Sequence, residues 1–258
     1  MRHSAMAAQE IILGFPVTRQ SAADCVSHIA GWVKAGAMNK YVACANPHSL
    51  IAALHDPEFA AALKCADLAT PDGFGVILAS RILGGEIHER ITGMDIFLGV
   101  SDVLNAQGGY RYFFLGSTHD TLQKIADRLE RDYPHLRLAG MYSPPFKSVF
   151  SNEDNYLMIE AINQARPDVL WVGMTAPKQE VWINQNKDKL NVSVIGAVGA
   201  AFDFYAGTVR RSPQWFQQHG LEWLPRLLQQ PRRLWRRTFV GAPLFLLRVL
   251  RQRLTRAA

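Results

Sequence analysis

The chain has 258 residues, 48% of them hydrophobic and 19% charged, enough apolar side chain for one large packed domain with an appendage; that balance excludes wholesale disorder. Its net charge of +6 is unevenly spread: from residue 208 onward eleven arginines face one acid, Glu222, while residues 1–207 hold seventeen basic and twenty-one acidic residues. The three cysteines, Cys25, Cys44 and Cys65, form no CxxC or Cys/His cluster, which suits a reducing cytoplasm and speaks against a structural zinc site.

The opening MRHSAMAAQEIILGF lacks the long apolar run of a signal peptide. No window reaches the roughly eighteen continuous apolar residues of a membrane-spanning helix, so the chain is expected not to cross a bilayer. Ile11–Phe15 reads as a first strand, Ser21–Lys34 as a helix with Ser21 as N-cap, and Tyr41–Ala45 as a second strand. Helices follow over His48–Leu54 and Pro57–Ala66, then a brief strand at Leu68–Ala69 and helices over Phe74–Leu83 and Asp95–Ala106. The strand Tyr110–Leu115 leads into the helix Thr121–Tyr133, the strand Leu136–Met141 into the helix Asn152–Gln164. Asp168–Val172 leads into Gln179–Lys189, and Val192–Val198 is the last strand. Such alternation predicts an α/β fold with a Rossmann-like parallel sheet flanked by helices.

Near residues 204–212 the pattern changes. We divide the chain into an α/β catalytic domain, 1–207, and a basic helical appendage, 208–258. In that appendage Leu224, Leu227, Leu228, Leu234, Trp235 and Phe239 interleave with Arg226, Arg232, Arg233, Arg236 and Arg237. Further on, Leu246, Leu247, Val249, Leu250 and Leu254 alternate with Arg248, Arg251, Arg253 and Arg256. Apolar and cationic faces with tryptophan at the seam describe helices lying in an anionic membrane interface. A nucleic-acid arm would carry fewer long apolar residues and more Lys, Ser and Gly, and a plain core helix has no need of eleven arginines.

Ligands of open parallel sheets bind beyond the carboxyl ends of the strands. The turns there are Asn46-Pro47-His48, Pro71-Asp72-Gly73, Gly116-Ser117-Thr118, Met174 through Glu180, and Gly199 through Asp203. Turns of this composition can present backbone N–H groups to phosphate, although each taken singly reads more readily as an ordinary turn. Asp72 stands before an apolar helix and has two open readings, an N-cap or a general base. No GxGxxG, GxxxxGK[ST] or Gly-x-Ser-x-Gly occurs, which weakens a dinucleotide-dependent oxidoreductase and removes P-loop and α/β-hydrolase chemistry. The absence of Asp-x-Asp and the dispersed histidines leave no evident metal set. A bound diphosphate would then be neutralised by Arg, Lys and backbone amides, with Arg90 and Lys178 the body's best placed cations.

In order along the chain, Asn46-Pro47-His48, ADLATPDGFGVILASRILGG (66–85), ERITGMD (89–95), FFLGS (113–117), RPDVLWVGMTAPKQEVWI (166–183) and the arginine-rich run 196–237 closely resemble the WecG/TagA/CpsF family of glycosyltransferases. The resemblance spans residues 11 to 245. It implies an inverting transfer, without metal or other cofactor, from a UDP-sugar to a polyprenyl-diphosphate-linked N-acetylglucosamine. The donor it implies is UDP-N-acetylmannosamine or its uronic acid, with another hexose donor such as UDP-glucose as the alternative.

By position, the resemblance makes Asp72 the catalytic base and Arg90 the support of the leaving diphosphate. Asn46, Gly73, Gly116, Lys178, Gln179 and Asp203 become substrate-binding residues, and Arg226, Arg233 and Arg236 contacts to diphosphate or lipid. Thr175 stands where the family commonly has glycine. The implied setting is the inner face of the cytoplasmic membrane, with an anionic lipid surface as partner, no nucleic acid, and self-association open to the tail's apolar residues. A non-catalytic membrane protein with a decayed site is the rival, and the intact Asp72, Arg90 and Gln179 argue against it.

Overall fold

A computed structural model describes residues 9–210, 212–213, 215–216, 224–225, 235 and 237–257. The chain opens with β1 (Gln9–Ile12) and β2 (Phe15–Thr18), paired antiparallel. The sequence pattern suggested one strand over Ile11–Phe15; the structure breaks it at Leu13 and Gly14, whose φ values of 51° and 86° make a two-residue hairpin turn. Leucine rarely takes a positive φ, so only Gly14 signalled the turn.

After α1 (Ala22–Lys34), capped by Ser21, come β3 (Lys40–Ala45), α2 (Pro47–Ala53), α3 (Pro57–Lys64) and β4 (Leu68–Pro71). Then follow α4 (Phe74–Leu83), α5 (Gly93–Gln107), β5 (Arg111–Gly116) and α6 (His119–Asp132). The body ends with β6 (Arg137–Tyr142), α7 (Asn152–Ala165), β7 (Val169–Gly173), α8 (Lys178–Asn186), β8 (Val194–Ala197) and the short α9 (Ala201–Tyr205). The helix expected to run to Lys189 stops at Asn186 and finishes as a 3₁₀ turn.

Strands β3 to β8 form one six-stranded sheet in the order β4-β3-β8-β7-β5-β6, with every pairing parallel. The run Tyr112-Phe113-Phe114-Leu115 shows why the apolar stretches are continuous. Tyr112 and Phe114 enter the core on one face, and Phe113 and Leu115 the core on the other, so both faces need covering. Residues of α1, α5, α6 and α9 cover the first face, and those of α2, α3, α4, α7 and α8 the second.

The last helix, α10 (Ala242–Ala257), also joins the second face. Phe245 and Val249 are buried in that core. Gln252 holds the β-hairpin, donating from Nε2 to the carbonyl of Ile11 and accepting at Oε1 from the N–H of Leu13. Arg253 donates to the carbonyl of Leu83 at the end of α4. Val249, read from sequence as part of the lipid-facing stripe, is thus a core residue, whereas Leu247, Leu250 and Leu254 are exposed. Helical spacing explains the split: positions 245 and 249 share one stripe, 247, 250 and 254 the opposite one.

Candidate active site at the carboxyl edge of the sheet

The strand order fixes where a ligand can enter. From β3 the chain steps outward to β4 and later fills the place on the other side of β3 with β8. The helices after these neighbours, α2 after β3 and α9 after β8, lie on opposite faces of the sheet. In sheets with such a reversal of direction the ligand site lies outside the carboxyl ends of these strands.

On the β3 side, Asn46 is the N-cap of α2 in a reciprocal capping box. Its Oδ1 accepts from the Ser49 N–H at 3.0 Å, and Ser49 Oγ accepts from the Asn46 N–H at 2.8 Å. The neighbouring turn at the end of β4 is tied to β3, because the Asp72 N–H donates to the Ala45 carbonyl at 2.8 Å. Of the two sequence readings of Asp72, the N-cap is not what the structure shows. Gly73 is the N-cap of α4, at φ +103°, and offers no side-chain cap to the first turn. Asp72 sits one residue further out, half-buried.

Two further constraints pack this corner. A Cβ at Gly75 would lie 2.6 Å from Pro47 Cγ, so the turns after β3 and β4 interlock only with glycine there. The Ile91 N–H donates to the Pro71 carbonyl at 2.9 Å, which lays the half-buried Arg90 beside the Asp72 turn. Next to it Thr92 caps α5, and Asp95 Oδ2 accepts in return from the Thr92 N–H at 2.9 Å. Burial pushes the Cys44 thiol up, and the charges of Asp72, Glu180 and Asp95 add to that push. Three carboxyl groups from three separate elements thus act on one half-buried thiol at the strand ends.

On the β7 and β8 side, the arrangement departs from a simple row of ligand contacts. Gln179 is buried at the start of α8, with Oε1 accepting from the Met174 N–H at 3.2 Å and Nε2 donating to Glu180 Oε1 at 2.8 Å. Lys178 donates to the Lys147 carbonyl and lies 3.8 Å over the Phe150 ring, in surroundings whose desolvation lowers its pKa. Its ammonium thus fastens the loop after β6 to the APKQE segment; it is not held out toward an anion. Gly116 is buried at the end of β5, where a Cβ would meet the Gly173 carbonyl oxygen at 2.5 Å. Its glycine serves the close approach of β5 to β7.

Asp203 lies in α9 beyond β8, half-buried, with its carbonyl accepting from the Thr208 and Val209 N–H groups at 3.0 and 3.2 Å. Arg226, Arg233 and Arg236 lie outside the described residues. Asn46, Asp72, Gly73 and Arg90 thus cluster at the ends of β3 and β4, with Gln179 near Gly199 beyond β7 and β8, and Gly116 at the end of β5.

Sequence reasoning counted Glu180 in the turn after β7 but gave it no role. The signal was present: Gln179, Glu180, Ile183 and Asn186 recur at helical spacing, which puts the acid on the same inward stripe as an isoleucine. Among the described residues no group of three or more His, Cys, Asp or Glu side chains is arranged to hold a metal ion, and no helix is long and apolar enough to cross a membrane.

A sequence model described as the glycosyl transferase WecG/TagA/CpsF family matches residues 10–258. A Bacillus spizizenii protein named N-acetylglucosaminyldiphosphoundecaprenol N-acetyl-beta-D-mannosaminyltransferase is 32% identical over 211 residues, 82% of this chain and 79% of its own. Proteins of the same name from Bacillus subtilis and Staphylococcus aureus are 30% and 27% identical, each over 82% of this chain and 79% and 80% of their own.

Proposed function

The chain belongs to the WecG/TagA/CpsF family of glycosyltransferases and is a glycosyltransferase, and from that premise we propose what it transfers, to what, and with which residues. The donor is UDP-N-acetylmannosamine or its uronic acid. The acceptor is N-acetylglucosamine carried on a polyprenyl diphosphate, and the product is an intermediate of a surface polysaccharide. The relatives' shared name favours this donor over a plain hexose such as glucose.

The observation that carries the chemistry is the position of Asp72, half-buried at the carboxyl edge, outside the capping position and beside Arg90. Its carboxylate takes the proton of the acceptor hydroxyl as that oxygen attacks the anomeric carbon from the face opposite the nucleotide. The bond from the anomeric carbon to the diphosphate oxygen breaks as the new glycosidic bond forms, and one displacement inverts the centre. UDP leaves with both electrons of the broken bond. The Arg90 guanidinium, with Arg226, Arg233 and Arg236 of the tail, neutralises the negative charge that gathers on the leaving diphosphate, with no metal ion required.

The enzyme works at the inner face of the cytoplasmic membrane, held by the appendage from residue 208 onward. Support comes from the exposed Leu247, Leu250 and Leu254 beside Arg248 and Arg251 on the outer side of α10, and from the exposed Trp235 and Phe239.

The deciding experiment offers the protein a panel of UDP-sugars with a synthetic lipid-diphosphate N-acetylglucosamine. Release of UDP together with an enlarged lipid product, chelator present, is the expected result. Turnover of none of the donors, or turnover that stops with chelator, rejects the assignment.

A further inference from the structure

Glu180 is 2% exposed, and burial raises its pKa from 4.5 to about 7 because the site strips a carboxylate of its hydration. One carboxyl oxygen accepts from Gln179 Nε2 at 2.8 Å; the other, Oε2, is enclosed without a hydrogen-bond partner. Gln179 is held at its other amide atom by the Met174 N–H. Gly199, at the end of β8, lies flat against the same amide: a Cβ there would stand 3.5 Å from both Nε2 and Oε1.

A primary amide keeps its shape when turned end for end, so only its partners set which atom points where. The Met174 N–H is a donor and requires the oxygen. The Glu180 carboxyl oxygen is an acceptor and requires the nitrogen. With both in place a single orientation satisfies them, and one Gln179 N–H is left over. An apolar residue at 180 would remove the acceptor and leave the buried Nε2 unsatisfied.

We propose that Glu180 is a positioning residue, whose buried carboxyl group locks the Gln179 amide in one orientation between the ends of β7 and β8 so that the remaining N–H meets the ligand at the carboxyl edge of the sheet. That the ligand is a sugar nucleotide rests on the function proposed above; the lock itself does not. The neutral acid serves this purpose as well as the anion would, since a carbonyl oxygen is all that Gln179 requires. Glu180 touches no reacting atom, and its influence passes through Gln179.

Two readouts separate the lock from the function. Nitrogen-edited magnetic resonance reports the Gln179 side-chain amide, assigned by its disappearance in Gln179→Ala. We expect the proton that it gives to Glu180 to exchange with solvent at least tenfold more slowly than those of a surface glutamine. Glu180→Gln, which keeps a carbonyl oxygen in place, should preserve that protection, and Glu180→Leu should abolish it. A Gln179 amide that exchanges freely in the unaltered protein, or is indifferent to Glu180→Leu, overturns the proposal. If Glu180→Leu fails to fold, the isosteric Glu180→Gln decides alone, and loss of protection in that variant overturns it.

The second readout is transfer from the donor. Glu180→Gln should stay within about threefold in kcat/KM, and Glu180→Leu should fall about tenfold or more, in line with one unsatisfied buried group. The double variant Gln179→Ala with Glu180→Leu should be no worse than Gln179→Ala alone, because the two act as a unit. Additive losses overturn the positioning role. Amide protection that behaves as expected in a protein that uses no UDP-sugar leaves the lock standing and rejects the donor instead.

Discussion

The N–H of Asp72 and the carbonyl of Ala45, 2.8 Å apart, join the turn after β4 to the end of β3 through the main chain. Asp72→Asn leaves that tie intact while removing the carboxylate that would accept a proton. We expect a loss of at least about a hundredfold in transfer rate, the lower end of what a positioned general base contributes. The melting temperature should stay within about 2 °C, as for other half-exposed polar replacements. Initial rates and thermal melts on the same preparation check both halves; near-normal turnover rejects Asp72 as the base.

Gly116 and Gly36 both hold positive φ, at +120° and +60°, yet their surroundings differ. A Cβ at Gly116 would press within 2.5 Å of the Gly173 carbonyl oxygen, whereas one at Gly36 meets nothing within 4 Å. Gly36→Ala therefore costs backbone strain alone, about 1–2 kcal/mol. Gly116→Ala adds a clash between two paired strands and should cost more, by roughly 1–3 kcal/mol for the forced shift. Thermal melts of the two variants measure the difference, and equal melting temperatures would show that β5 and β7 give way.

Most of the sheet was legible in the sequence because strands buried on both faces leave unbroken apolar runs, as at Tyr112–Leu115 and Val169–Val172. The hairpin was not, since a leucine at positive φ carries no turn signal of its own. The turns at the carboxyl edge were legible from their order along the chain, and the structure brings Asn46, Gly73, Asp72 and Arg90 together at the ends of β3 and β4. What spacing could not tell is which polar group is already spent. Lys178 is engaged by the Lys147 carbonyl, a contact between elements far apart in sequence, and Gln179 is held by Met174 and Glu180 with one N–H remaining, at a helix start no motif describes.

The two faces of α10 make separable demands. Phe245 is 1% exposed and packs in the core, so Phe245→Ala should cost about 3–5 kcal/mol of stability. Leu250 and Leu254, at 49% and 71% exposure, touch little of the body. Replacing both with glutamine should leave the melting temperature nearly unchanged and weaken binding to anionic liposomes by about a hundredfold or more, at about 1.5–3 kcal/mol per leucine removed from an apolar phase. Unchanged liposome binding by that double variant would place the membrane contact elsewhere in the appendage.

Glu180 also makes a prediction about pH. Its pKa is about 7 in the folded protein against an ordinary 4.5, so between those values the folded chain holds a proton that the unfolded chain has released. Stability from this group is fully present below about pH 4.5 and is lost as pH rises toward 7, where the buried acid must finally ionise. Glu180→Gln keeps the shape and the acceptor for Gln179 but has no proton to lose. Denaturant midpoints of the two proteins should therefore be close near pH 5 and diverge as pH rises, with the glutamine variant the more stable by a few kcal/mol at pH 8. Other titrating groups affect both chains alike and cancel in the comparison. Parallel midpoints from pH 5 to 8 would mean that Glu180 is ionised throughout and that its charge is compensated within the fold.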